Sequence, residues 1–171
     1  MQAKIPADTG KLIIHDFIHL RPLAKNSHSF KHAMMFSIDP HLASDTMTIG
    51  DLPLCRVLLM NDARFPWLIL TPRKAGVREL FELSEDERAQ LIEEVILAER
   101  VLSAMGPCDK LNIGTLGNIV PQLHIHVVAR RKDDAAWPGP VWGFGKAEKY
   151  AKEAAETMLA SLRSSLDIGH V

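Results

Sequence analysis

Residues 84–107 constrain the fold most, because one stretch carries a helix start signal, a periodic apolar stripe and a stop signal. Ser84 with Glu87 forms a capping box, Glu85 and Asp86 add negative charge to the first turn, and Gly106-Pro107 ends the run. Between them Leu91, Val95, Ala98, Leu102 and Met105 recur at spacings of four and three, lining one helical face with apolar side chains. Such a face must be covered by another layer.

The flanking sequence supplies strands. Ala33 to Ile38 reads as a strand ended by Asp39-Pro40, and a weaker one runs from Thr46 to Ile49 before Gly50-Asp51. Cys55 to Met60 and Trp67 to Thr71 are apolar runs of buried-strand type, the first followed by the turn Asn61-Asp62 and the second stopped by Pro72. Beyond the helix, Lys110 to Gly114 and Leu123 to Arg130 read as strands joined through Gly114-Thr115-Leu116-Gly117-Asn118. A loop rich in Trp, Pro and Gly follows at 137–145, and an Ala-rich helix from about Lys146 to Leu166 closes the chain. The expected fold class is α+β, with a mainly antiparallel sheet of about five strands, one long central helix and a C-terminal helix. This domain spans residues 31–171. Residues 1–30 form an N-terminal extension to which the sequence assigns no structure beyond a strand candidate at Leu12-Ile13-Ile14.

Charge excludes some functions. The 171 residues carry 20 Lys plus Arg against 21 Asp plus Glu, whereas general binders of nucleic-acid polymers show a marked basic excess. Cys55 and Cys108 belong to no CxxC pair, so no thiolate metal framework and no structural disulfide are expected. Charged residues interrupt the early apolar stretches, and no run approaches the roughly 20 apolar residues that cross a bilayer. The expected address is therefore the cytoplasm, with no membrane partner.

Of the eight histidines, two sit at a spacing with chemical consequences. Along a strand, Leu123, Ile125 and Val127 share one face while Gln122, His124 and His126 share the other, at intervals of about 7 Å. A neutral imidazole pinned at its far nitrogen is a competent nucleophile toward phosphorus, and a second one can contact phosphate oxygens. Gly114 and Gly117 allow backbone amides to come close to an anion. Surface decoration and a metal-binding pair are the competing readings of His-x-His. A metal site wants a third ligand, and no His follows His126 until His170. The cations Arg64, Arg73 and Lys74, and Arg130, Arg131 and Lys132, read either as attractors of a polyphosphate or, the favoured reading, as solvated surface charge. Trp137 and Trp142 read either as a pocket rim or as a satellite apolar cluster. His15, His19, His28, His32 and His41 converge on no common centre.

The segment Gly117-Asn118-Ile119-Val120-Pro121-Gln122-Leu123-His124-Ile125-His126-Val127-Val128 resembles the signature of the histidine triad (HIT) family of nucleotide hydrolases and transferases. In particular it resembles a bacterial branch with Gln in the first His position. The resemblance runs from about Phe36 to Trp142 in the expected order: Leu58-Leu59-Met60-Asn61-Asp62, Pro66 to Pro72, and Leu111-Asn112-Ile113-Gly114 look like the family's other segments.

The resemblance implies an enzyme in which His124 attacks an α-phosphorus and forms a nucleotidyl-histidine, which water then hydrolyses. His126 would contact phosphate oxygens and help the leaving group, with Gln122 as the third member of the catalytic row. Asn61 would lie near the nucleotide sugar, Asn112 near the phosphate or bridging oxygens, and backbone amides near Gly117 and Asn118 would hold a phosphate oxygen. No metal or cofactor is required in this scheme; the nucleotide is substrate, either a dinucleoside polyphosphate or a nucleoside phosphoramidate, and the protein is a homodimer. Gln122 cannot titrate near neutral pH, Pro66-Trp67 replaces a polar pair beside the site, and Ile119 replaces a small hydroxyl residue. The alternatives are a nucleotide-binding or interaction module with a degenerate triad, and a His-x-His metal protein.

Overall fold

The computed structural model describes residues 35–169. The extension over 1–30, its strand candidate at 12–14, His15, His19, His28, His32 and His170 lie outside the described residues. Element order is α1 (Pro40–Asp45), β1 (Thr46–Asp51), β2 (Cys55–Met60), β3 (Trp67–Pro72), a 3₁₀ turn at Leu80–Glu82, α2 (Glu85–Ala104), β4 (Lys110–Gly114), β5 (Ile125–Arg130) and α3 (Lys152–Ser165). The five strands form one sheet in the order β1-β2-β3-β5-β4, every neighbouring pair antiparallel. This is an α+β fold with a long central helix and a C-terminal helix.

The long helix begins as its sequence dictates. The Ser84 hydroxyl accepts the Glu87 N–H, the Glu87 carboxylate accepts the Ser84 N–H, and two orphan donors of the first turn are satisfied. Its buried face is Leu91, Val95, Ala98, Val101 and Leu102, with the carboxylate of Glu94 among them. Glu94 is buried because it has work for both oxygens: they accept the N–H groups of Leu54 and Cys55 at 2.7 and 2.8 Å, where the chain enters β2. Burial and then the neighbouring Glu94 charge push the Cys55 thiol up, so it stays protonated and inert. Cys55 and Cys108 are both free.

Two expectations about the chain's course are corrected. No strand forms at residues 35–38; instead Pro40 opens α1 at its first position, and the Asp39 carboxylate caps it by accepting the His41 N–H at 2.8 Å. Asp-Pro is thus a helix start here, the fixed φ of proline suiting the first turn. Residues 146–151 lie outside α3, which begins at Lys152. The turn after β2 holds them: Ala63 N–H donates to Glu148 O, Glu148 N–H to Asp62 Oδ1, and Tyr150 N–H to Asn61 Oδ1. The helix starts only where those bonds stop.

Strand alternation sorts the core into two layers. Cys55, Val57, Leu59, Leu68, Leu70, Ile125, Val127 and Ala129 face α2 and α3. Leu58, Trp67, Ile69 and Val128 face the other way, against Leu42 of α1, Phe65, Val120, Ala136 and Val141. A loop running back across that second face therefore buries the strand side that carries the histidines.

Candidate active site

His124 lies one residue before β5 and His126 within it, and both turn to the face covered by α1 and the loop after β5. Their ring centroids are 4.8 Å apart at an interplanar angle of 80°, and the residues are only 5% and 6% exposed. A half-exposed decorative pair is thereby replaced by two imidazoles held edge to face inside the fold.

Each ring is fixed by a different kind of partner. His124 Nδ1 lies 2.6 Å from the backbone oxygen of Gln122. A carbonyl only accepts, so Nδ1 carries the proton and Nε2 keeps its lone pair. His126 Nδ1 receives the indole N–H of Trp67 at 3.0 Å. An indole N–H only donates, so the proton of the neutral His126 ring sits on Nε2. Burial, followed by the nearby His124, pushes His126 down from 6.5 to about 3, and the ring stays neutral through the physiological range. One Nε2 thus offers a lone pair and its neighbour offers an N–H.

Trp67 is what the sequence reading missed. Its replacement of a polar pair looked like the loss of a polar group, yet the indole nitrogen supplies one from the first residue of β3, where the register sets Trp67 beside Val128 and Ile69 beside His126. The available signal was an aromatic with a polar tip at the start of a buried strand. Trp142 closes the cluster, with its ring 5.6 Å from His126 and 5.9 Å from Trp67. It also rests on Gly114, where a Cβ would stand 3.0 Å from the indole. Gly114 is glycine because an indole crosses it, a different reason from the expected approach of an anion. Gly117 has φ +70°, a left-handed turn that redirects the loop leading to the histidines. Asn118 stands exposed beside it.

Gln122 divides its roles. Its side-chain oxygen accepts the Asp39 N–H at 2.9 Å and its amide nitrogen donates to Ser37 O at 2.8 Å, so the side chain clasps the segment before α1. Only its backbone carbonyl touches His124. Asn112, on β4, has its side-chain oxygen engaged by Arg130 Nη1 at 2.8 Å. Asn61 follows β2 and lines a cleft of about 270 Å³ with Asp45, Met60, Arg64, Trp67 and Phe144. Trp67 joins that cleft to His126, since one indole forms a wall of the first and holds the second. His124, His126 and Asn112 therefore share one face, Asn61 reaches it through the cleft, and the Gln122 side chain points elsewhere.

Two cations are not the solvated charges expected. The Arg64 side chain, 13% exposed, pairs with Asp62 and donates to Phe144 O at 3.1 Å. Burial pushes the Asp62 carboxyl up, but bonds from Arg64 and from the Glu148 N–H outweigh it and hold the group below the ordinary range. Arg130, 1% exposed, pairs with Asp134. Among the described residues, no three His, Cys, Asp or Glu side chains converge as a metal centre.

Comparison with known proteins decides the family. The model of the HIT domain matches residues 42–133, more than half of the chain. The chain belongs to the HIT domain family. Solved histidine triad proteins resemble it along nearly their whole length. The one from Bradyrhizobium japonicum is 44% identical with a TM-score of 0.75, the match covering 77% of this chain and 98% of that one. The one from Sinorhizobium meliloti is 47% identical with a TM-score of 0.75, covering 78% and 98%. A third, from Marinobacter aquaeolei, is 41% identical with a TM-score of 0.76, covering 78% and 97%. No curated protein matches. The HIT match ends at residue 133, so Trp142, which packs against the histidines, is supplied from outside the matched region. Among the described residues no helix of this HIT protein is long and apolar enough to cross a membrane.

Proposed function

We propose that this HIT protein is a metal-independent hydrolase or transferase that cleaves nucleoside phosphate derivatives at the α-phosphate through His124. The observation that carries the proposal is the opposite polarity of the two ring nitrogens: a lone pair on His124 Nε2, fixed by Gln122 O, beside an N–H on His126 Nε2, fixed by Trp67. His124 Nε2 attacks the α-phosphorus, a P–N bond forms, and the leaving group departs with the electron pair of its own bond and takes a proton from water. Water then attacks the phosphorus and gives its proton to solvent, the P–N bond breaks with its electron pair returning to His124 Nε2, and the nucleoside monophosphate leaves. His126 is a neutral donor to a phosphate oxygen throughout, because its ring resists protonation. In this scheme Asn112 and the amides at Gly117 and Asn118 also face phosphate, Asn61 faces the sugar, and no cofactor takes part. Gln122 contributes its carbonyl to the nucleophile and its side chain to the fold.

Dinucleoside polyphosphates and nucleoside phosphoramidates are the two substrate classes, with a cytoplasmic homodimer as the working form. Among the described residues β4 is an edge strand, with Ile113 half exposed on it, and an edge of this kind suits pairing with a second copy. The test is turnover of a panel of both classes, with and without chelator. Chelator-resistant turnover that disappears in His124→Ala is expected; full activity in that variant would overturn the mechanism. A second reading, a nucleotide-binding module without turnover, draws on the indole of Trp142 packed over His126 and Gly114. It predicts nucleotide binding in the wild type with no product from either class.

A further inference from the structure

Arg130 presents a question of cost. It is 1% exposed on β5, its Nε and Nη2 donate to the two oxygens of Asp134 at 2.7 and 2.9 Å, and the ring of Trp137 lies 5.8 Å from its guanidinium carbon. Asp134 is itself fixed, accepting the N–H groups of Arg131 and Ala136, and the Arg130 bonds hold its carboxyl below the ordinary range. A buried pair of this kind rarely stabilises more than apolar side chains of the same size would. What it does that an apolar pair could not is direct a third group.

That group is Asn112. In the antiparallel register Lys110 faces Arg130, Asn112 faces Val128 and Gly114 faces His126, so Asn112 stands between the buried cation and the histidine. Its amide has two ends of nearly equal shape and opposite polarity. Arg130 Nη1 can only donate, and it meets Asn112 Oδ1 at 2.8 Å. The oxygen is therefore held on the Arg130 side, which leaves the NH₂ on the side of Gly114 and His126. Without Arg130 either end could turn that way, and an oxygen there would repel an anion.

We infer that Arg130, locked by Asp134, is a positioning residue that turns Asn112 so that its NH₂ donates to a phosphate oxygen of the nucleotide alongside His126. The inference rests on the nucleotide reading of the site. It makes Asn112 one half of a device whose other half, at the far end of β5, never touches substrate.

Binding of nucleoside 5′-monophosphates and of the matching unphosphorylated nucleosides, measured by isothermal titration, tests it. Asn112→Ala is expected to weaken monophosphate binding about tenfold, the scale of one hydrogen bond to a charged group, and to leave nucleoside binding unchanged. Arg130→Met with Asp134→Asn removes both charges together, so neither is stranded, and is expected to give the same loss; adding Asn112→Ala to it should cost nothing more. Asn112→Asp is the sharper variant. A carboxylate suits Arg130 better than an amide does, so a merely structural role predicts wild-type binding, whereas loss of the donor predicts weaker binding than in Asn112→Ala. Additive losses, wild-type binding by Asn112→Asp, equal loss of nucleoside binding, or no monophosphate binding by the wild type would each overturn the inference. If the Arg130 variant does not fold, the order of Asn112→Asp and Asn112→Ala decides. Intact coupling in a protein without turnover would fell the proposed chemistry and leave the orientation of Asn112 standing.

Discussion

The two faces of the sheet are built on opposite terms. Toward α2 and α3 the layer is apolar side chains, with Glu94 as the buried acid among them, and it would accept other apolar groups of the same volume. Toward α1 and the loop after β5, apolar groups share the layer with His126, Arg130, Asp62 and two tryptophans. The polar groups there are held by specific partners, His126 by Trp67, Asp62 by Arg64 and Arg130 by Asp134, while Trp142 Nε1 is buried with no partner among the described residues. A change on the first face alters volume; a change on the second strands a partner. Stability and the proposed chemistry are thus separated by the thickness of one sheet, and the strand that carries the histidines contributes to both faces, through Ile125 and Val127 on one side and His126 on the other.

The separation can be broken experimentally. The largest effect is expected for His124→Ala, a loss of about 10³-fold or more in turnover with the melting temperature nearly unchanged. A large fall in melting temperature would show that the ring also holds the fold. Leu91→Ala, on the other face, is expected to lower stability by about 2–5 kcal/mol in chemical denaturation while leaving turnover intact below the transition. Reduced turnover in a still-folded Leu91→Ala protein would show that the faces are coupled. Acid should act through the second face. His126 is depressed to about 3 in the folded chain, so below 6.5 the unfolded chain binds more protons, and stability is lost as pH falls from 6.5 towards 3. The denaturant midpoint of the wild type should fall more steeply across that window than that of His126→Asn; parallel curves would remove His126 from the account. Trp67→Phe keeps the ring but deletes the N–H, leaving His126 Nδ1 without its donor at a cost of about 1–3 kcal/mol, and the tautomer loses its restraint. A fall in turnover beyond what the stability loss explains is expected, visible as a kcat effect with little change in KM. The smallest effect is that of Ser84→Ala, about 1 kcal/mol from the lost cap, with no change in turnover.

Legibility followed the range of the interactions involved. The long helix was readable almost to the residue, because the Ser84 cap, the Leu91–Leu102 stripe and the Gly106 stop each act on residues a few positions away. The alternation that turns Leu123, Ile125 and Val127 one way and the two histidines the other was equally local. Reading failed where a distant partner overrode a local preference. Residues 146–151 have good helix formers, yet the turn at Asn61–Ala63 holds them out of the helix. Asp39-Pro40 ends a strand or starts a helix with the same two residues, and burial of Leu42 beneath the sheet goes with the helix. Arg130 is chemically identical to the exposed Arg131 beside it, and only the strand register puts one of them inside.

The candidate site divides along the same line. Sequence by itself determined that His124 and His126 share a face one strand period apart, behind a glycine-bearing loop. It also determined that the chain's near-zero net charge offers no general basic surface for phosphate. Only the tertiary structure decided which nitrogen of each ring carries the proton, because that depends on a carbonyl two residues away and on an indole 59 positions upstream. Spacing along a strand is a property of the backbone, whereas a tautomer is a property of whatever the fold brings against the ring.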